Sequence, residues 1–210
     1  MDKRNVMIIN GSGEYRRLFT EYLGFNLVDD MSIANLVVFT GGEDVSPSFY
    51  GADVHPRTYS NPYRDVEEAR WFEIARELDI PMVGICRGGQ FLNVMSGGSM
   101  YQHVSKHALH GCHDAIDCET GQHIAVSSTH HQMMKPGPDA HVVAVATLGG
   151  FREWYEGQVF KRDESNTDYE VLYYDTTKCL CFQPHPEFTG AQFEHMKEYF
   201  QQCLLKYLGV

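Results

Sequence analysis

Short apolar runs alternate with segments of helical spacing through the first half of the chain. Residues 6–9 (Val-Met-Ile-Ile) and 36–39 (Leu-Val-Val-Phe) are apolar without interruption, and 80–85 follows the same pattern. Continuous runs of this length predict strands buried on both faces, as in a parallel sheet covered by helices. Between them, residues 15–23, 65–78 and 88–95 predict helices. In the second of these, Val66, Ala69, Phe72 and Ala75 recur at three-residue spacing and predict the buried side.

Residues 43–64 hold Pro47, Gly51, Pro56 and Pro62 among polar residues and predict a long loop. The second half is richer in strand signals, at 124–127, 142–146, 170–174 and 179–182. Phe193, Met196, Phe200, Cys203, Leu204 and Tyr207 then predict an amphipathic C-terminal helix. With no repeat, linker or low-complexity tract, residues 1–210 are expected to form a single domain.

Charge narrows the choice of function. With 17 Lys and Arg against 28 Asp and Glu, the net charge of −11 excludes a general electrostatic footprint for nucleic acid. The twelve Tyr and twelve Phe show no stacking pattern for single strands. No apolar run is long enough to span a membrane, and the short apolar stretch that ends at Gly11-Ser12-Gly13 is no secretory signal. The six cysteines are therefore expected as free thiols in a reducing compartment, the cytoplasm (a host's cytoplasm for a viral gene). Gly11-x-Gly13 lacks the rest of a phosphate-loop fingerprint and is read as a turn. Phe151, Trp154 and Tyr155 are read as core or rim.

One segment carries chemistry. Gly84-Ile85-Cys86-Arg87-Gly88 lies where a strand gives way to a helix, the thiol counterpart of a nucleophile elbow. A sharp turn there pushes Cys86 out at the carboxyl end of the sheet, and the helix N-terminus favours thiolate. The Arg87 N–H would face an oxyanion on the substrate. A buried structural cysteine is the alternative for an isolated Cys. A nucleophile also needs a base and an orienting group. His185 and Glu187, two residues apart just past the last strand, point to one side of extended backbone, and Pro184 and Pro186 stiffen the segment.

These residues resemble the class I glutamine amidotransferase superfamily. Further motifs bring the resemblance closest to the γ-glutamyl-γ-aminobutyrate hydrolase, or peptidase C26-like, branch. They are Phe39-Thr40-Gly41-Gly42-Glu43-Asp44 running on to Gly51, Arg64-Asp65 with Glu68, Gly97-Gly98-Ser99-Met100-Tyr101-Gln102, and Ser128-Thr129-His130-His131-Gln132. The resemblance implies a flavodoxin-like three-layer α/β/α sandwich with a central, mostly parallel sheet. It implies Cys86 as nucleophile, His185 as base and Glu187 as orienter. The N–H groups of Gly42 and Arg87 would form the oxyanion hole, and Gln90, Ser128, Thr129, His130 and His131 would contact the glutamine-like part of the substrate.

The implied chemistry is cleavage of a γ-glutamyl amide such as glutamine through a γ-glutamyl thioester, without a cofactor. The ammonia would pass to a separate synthetase or ligase partner; the alternative is a stand-alone γ-glutamyl-amine hydrolase. A non-catalytic binding module on the same fold is disfavoured by the complete triad. The chain departs from the branch in its shorter 102–128 region, in its length after Gly149, and in Pro184 before His185. All three bear on the leaving-group side.

His103, His107, His110, Cys112, His113, Cys118 and His123 form a dense cluster of good zinc-ligand types. Their spacing fits no standard template. The segment is therefore read as a polar loop beside the active site, with no metal and with one of the histidines on the substrate cleft.

Overall fold

A computed structural model of the chain describes residues 4–210, with the side chains of Leu109 and His110 outside the description. The chain opens with β1 (Asn5–Ile9), then α1 (Gly13–Arg17), which continues as a π-helical turn over Leu18–Tyr22. A short β2 (Asn26–Leu27) leads to β3 (Leu36–Phe39), α2 (Pro62–Glu77), β4 (Met82–Ile85) and α3 (Arg87–Met95). The second half runs through β5 (Ser99–Tyr101), β6 (His103–Val104), β7 (Ala108–Asp117), β8 (His123–Thr129), β9 (Met133–Lys135) and β10 (His141–Ala146). It closes with β11 (Phe151–Glu156), β12 (Val159–Glu164), β13 (Asp168–Tyr174), β14 (Cys179–Phe182) and α4 (Glu194–Cys203).

Nine strands form the central sheet, in the order β2-β1-β3-β4-β14-β13-β10-β7-β8. From β2 to β14 every pair is parallel; from β14 onward every pair is antiparallel. The fold is the expected α/β class, with an antiparallel extension on one side. Alternation within the parallel strands feeds two cores. Val6, Val38, Val83, Ile85 and Phe182 pack against Phe19 beside α1 and Met196 and Phe200 of α4. Met7, Ile9, Val37, Phe39 and Met82 pack on the opposite face against Phe72 and Ala75 of α2 and Phe91 and Leu92 of α3. The three layers follow from this alternation.

Several expectations shift in detail. Helix α2 starts at Pro62 instead of Asp65, because the Asn61 side chain accepts from the Arg64 N–H at 3.3 Å and Pro62 suits the first turn. Its buried stripe is Asp65, Glu68, Phe72 and Ala75, while Val66 is exposed. Two carboxylates thus displace the expected apolar positions, and their partner comes from another helix. The 43–64 loop is pinned at several points, among them Asp44 N–H to the Tyr59 carbonyl and Ser46 N–H to the Asp65 carboxylate. The 103–123 segment is not a loop. It is β6, β7 and the turn into β8, and β11 and β12 form a hairpin that the sequence pattern did not single out.

Backbones pass very close to one another at the β4–α3 junction. A Cβ on Gly84 would lie 2.2 Å from the Gly88 carbonyl oxygen, and one on Gly88 would lie 2.1 Å from that of Phe39. Neither position tolerates a side chain without backbone movement. Gly88→Ala is expected to destabilise the protein by about 1–3 kcal/mol or more, read as a lowered urea midpoint. An unchanged midpoint would show that the junction is slack.

Candidate active site

Cys86 occupies the single residue between β4 and α3, at φ 53° and ψ −113°. This lies outside the helical and extended regions, and a non-glycine residue holds it only when its surroundings fix it. They do so here: the Cys86 N–H donates to the Phe182 carbonyl at 2.8 Å, and its carbonyl accepts from the Gln90 N–H at 3.0 Å. The thiol is half-buried at the carboxyl end of the parallel strands.

His185 and Glu187 follow β14, the strand beside β4. The Ser127 hydroxyl accepts from the His185 N–H at 2.7 Å and fixes the segment against β8. His185 Nδ1 lies 2.6 Å from Glu187 Oε1, and the ring stacks on Phe188. Burial by itself would lower this imidazole, but hydrogen bonding and charge from Cys86 and Glu187 outweigh it and push it up to about 10. A Cβ on Gly41 would lie 3.2 Å from His185 Cε1 and 3.7 Å from Cys86 Cβ, so the three residues expected as the triad lie near one another.

Tyr15 was not anticipated. Its buried hydroxyl accepts from the Gly41 N–H at 3.0 Å. Burial, followed by the charge of Glu187, pushes the phenol up. Gly41 is hemmed in, since a Cβ there would lie 2.8 Å from the Tyr15 hydroxyl and 3.2 Å from His185 Cε1. Only the helical pattern marked α1, and it does not reveal what the helix faces.

A second unanticipated group is the buried ion network behind the turn. The Arg87 guanidinium pairs with both Asp65 and Glu68, and Arg64 Nε reaches Glu68 at 2.8 Å. Burial, with the neighbouring Arg64 charge, lowers Arg87 to about 10, and the charge and hydrogen bond of Asp65 oppose that shift. Arg64 Nη2 donates to the carbonyls of Thr40 and Gly41, both at 3.0 Å. In a trans peptide the N–H points opposite to the C=O, so the Gly42 N–H is turned away from Arg64. A Cβ on Gly42, at φ 151°, would meet Arg64 Nη1 at 1.9 Å.

In front of Cys86 is a cleft of about 190 Å³, lined by Gly42, Glu43, Asp44, Tyr59, Cys86, Arg87, Gln90 and residues 129–132. Of the expected substrate contacts, Gln90, Thr129 and His131 reach it, and His131 Nε2 lies 3.1 Å from Asp44. Ser128 does not: it is fully buried and its hydroxyl donates to the His107 carbonyl. Strand alternation places it on the side of β8 away from the cleft. His130 contributes to the wall, but its Nδ1 bonds the Gln132 carbonyl at 2.8 Å and its ring lies tilted against that of His107, 4.6 Å between centroids. Burial pushes this imidazole down to about 4. Gln183 is a further neighbour, its Nε2 3.7 Å from the Cys86 sulfur and its Oε1 accepting from Gln90 at 3.0 Å.

The His/Cys segment divides. Cys112 and Cys118 are exposed, and His123 is exposed beside Asp114. His103 packs near His55. His110 falls among the side chains outside the description. His107 and His113 are buried, with Glu170 of β13 beside them.

The peptidase C26 family model matches residues 27–159, more than half of the chain. The chain belongs to the peptidase C26 family. The matched span carries Cys86 and the Gly41–Gly42 turn but ends before His185 and Glu187. The chain is 32% identical over 138 residues to the Mycobacterium tuberculosis protein Rv2859c, named for a glutamine amidotransferase; the alignment covers 57% of this chain and 45% of that one. It is also 32% identical over 129 residues to the glutamine amidotransferase-like protein YvdE of Lactococcus lactis subsp. lactis, covering 52% of this chain and 55% of the relative. It thus spans about half the length of the curated relatives it matches.

The fold extends further. A glutamine amidotransferase structure from Thermotoga maritima superposes with TM-score 0.60 at 17% identity, covering 98% of this chain and 86% of that one. The Thermotoga maritima PurLQS structure gives 0.59 at 19%, covering 99% and 100%. Among the described residues no helix is long and apolar enough to cross a membrane.

Two outcomes test the electrostatics. Arg87→Met would leave Asp65 and Glu68 buried without their main counter-ion. It should cost about 3–5 kcal/mol in urea denaturation, and a loss well below 1 kcal/mol would count against the network. His185 is raised in the folded state from 6.5 to about 10, so its contribution to stability is complete below about pH 6.5 and is lost as pH rises through 10. Unfolding free energies across that range should decline, and Glu187→Gln should flatten the decline. An equally steep decline in that variant would reject the coupling.

Proposed function

We propose that the protein hydrolyses a γ-glutamyl amide by nucleophilic catalysis, with glutamine as the substrate and ammonia as the product passed to a separate amidating enzyme. The observation that carries this reading is the part-buried Glu187–His185 pair, 2.6 Å apart, near a strained Cys86 that opens on the cleft.

Cys86 gives its proton to His185 and the sulfur attacks the γ-amide carbon. The oxyanion that forms is held by the N–H groups of Gly42 and Arg87, one presented by the Arg64-clamped turn and the other by the first turn of α3. His185 then protonates the leaving nitrogen, the C–N bond breaks, and a γ-glutamyl thioester remains. Water, deprotonated by His185, attacks the thioester and releases glutamate and the free thiol. Glu187 holds the ring in orientation and stabilises its charge throughout. Gln90, Thr129 and His131 are placed to recognise the glutamyl head. Ser128 has no part in that contact, and His130 acts from behind the wall through Gln132.

One observation favours a second reading. The family is described as a peptidase family, which fits a stand-alone hydrolase of γ-glutamyl amines. Substrate turnover separates the two. Glutamate release from glutamine, raised by a partner enzyme, supports ammonia supply; release from a γ-glutamyl amine with none from glutamine rejects it.

Cys86→Ser should lower kcat/KM by at least about 1,000-fold while leaving the unfolding midpoint near that of the parent. The glutamine-like electrophile 6-diazo-5-oxo-norleucine should label Cys86 in peptide mapping. Labelling only of the exposed Cys112 or Cys118 would overturn the assignment.

A further inference from the structure

Beyond the end of β10 the sheet holds a second buried polar cluster, separate from the triad. β10 stops at Ala146, which pairs with Ala115 of β7 on one side and with Asp168 of β13 on the other. Past that end, β7 and the turn before it bring His113 and His107 toward Asp168 and Glu170, and the chain leaving β8 adds His130. All five side chains are buried, and His107 and Glu170 are fully so.

Their hydrogen bonds are incomplete in a consistent way. Both ring nitrogens of His107, Nε2 of His130 and Oε2 of Glu170 are buried without a hydrogen-bond partner. Donor atoms of these three residues lie within 4.8 Å of one another. The opposite ends of His130 and Glu170 are held. His130 Nδ1 is bonded to the Gln132 carbonyl at 2.8 Å, which leaves a lone pair on Nε2. His113 Nε2 holds Glu170 Oε1 at 2.9 Å, and Asp168 lies 3.5 Å from His107 Nε2. His130 and Glu170 thus each have an outer partner of the kind that fixes a metal ligand's orientation, and Asp168 is the carboxylate beside His107.

Charge points the same way. Two carboxylates share a dry site with three imidazoles, and no Lys or Arg reaches them among the ion pairs of the described residues. Unpaired buried charge is costly, and a divalent cation would neutralise it. Imidazole and carboxylate donors suit a first-row transition ion of the zinc class more than magnesium or calcium, which favour all-oxygen shells.

We propose that His107, His130 and Glu170 bind one divalent transition-metal ion of the zinc class, with His113 and Asp168 as outer-shell partners. Because all five side chains are buried, the ion is structural. It ties β7 and β13 to the 129–132 segment that forms the cleft wall. Gln90 and His130 both donate to the Gln132 carbonyl, so the ion also fixes a substrate-facing segment.

The test uses the full chain, purified without chelator, dialysed against Zn²⁺ alone and then freed of excess metal. Elemental analysis should find about one zinc per chain. A Cys112→Ser/Cys118→Ser variant should retain that stoichiometry, which sets aside the exposed thiols. His107→Gln and Glu170→Gln should each lose most of the metal. Loading with Co²⁺ should give the visible absorption of a nitrogen- and oxygen-ligated low-symmetry site in the parent, a readout that does not require the variants to fold. Less than about one-tenth of an equivalent of zinc in the parent, or full retention by folded His107→Gln, would overturn the proposal. Either result would leave the cluster a metal-free polar core. Activity is not the readout, so failure here is distinguishable from failure of the amidase reading.

Discussion

The close passage of two backbones at the β4–α3 junction is the constraint on which the site depends. Gly84 and Gly88 let the first turn of α3 settle against the ends of β3 and β4. That approach forces the intervening residue into a conformation most side chains avoid, and it is the reason Cys86 stands above the sheet. A thiol on an ordinary helix or strand would lack the combination of exposure, helix N-terminus and neighbouring β14.

A charged scaffold holds that junction from beneath. Arg87 is buried against Asp65 and Glu68, and Arg64 links Glu68 to the carbonyls of Thr40 and Gly41. One network therefore sets both the first turn of α3 and the glycine turn after β3, whose residues Arg87 and Gly42 line the cleft. An apolar replacement of similar volume could match its stability, but it would not fix carbonyl directions. The expense of burying these charges fits a role in orientation.

The antiparallel extension gives the molecule a second polar interior. β14 is shared between the two halves: parallel to β4 on one side, antiparallel to β13 on the other. The strand whose exit carries His185 and Glu187 thus also adjoins the strand that carries Glu170, and the Gln183 N–H donates to the Glu170 carbonyl at 2.8 Å. The 129–132 segment lies between these two polar regions and lines the cleft.

Local chemistry made the parallel strands, the elbow and the adjacency of His185 to Glu187 legible in the sequence. Unbroken apolar runs, flanking glycines and two-residue spacing act over a few residues and do not need the rest of the chain. Partners distant in sequence were not legible. Val66 fits the apolar spacing of α2 as well as Glu68 does, and only the arrival of Arg87 from α3 buries the carboxylate instead. Tyr15 acquires meaning from Gly41 and Glu187, and His107 from a glutamate 63 positions on. The 103–123 segment misled because its polar residues resemble a loop until β13 supplies buried partners. The sequence by itself determined which short segments could turn, pair or react, since those preferences are local; the tertiary structure decided which charges and imidazoles meet, since that depends on strand order, which no local spacing encodes.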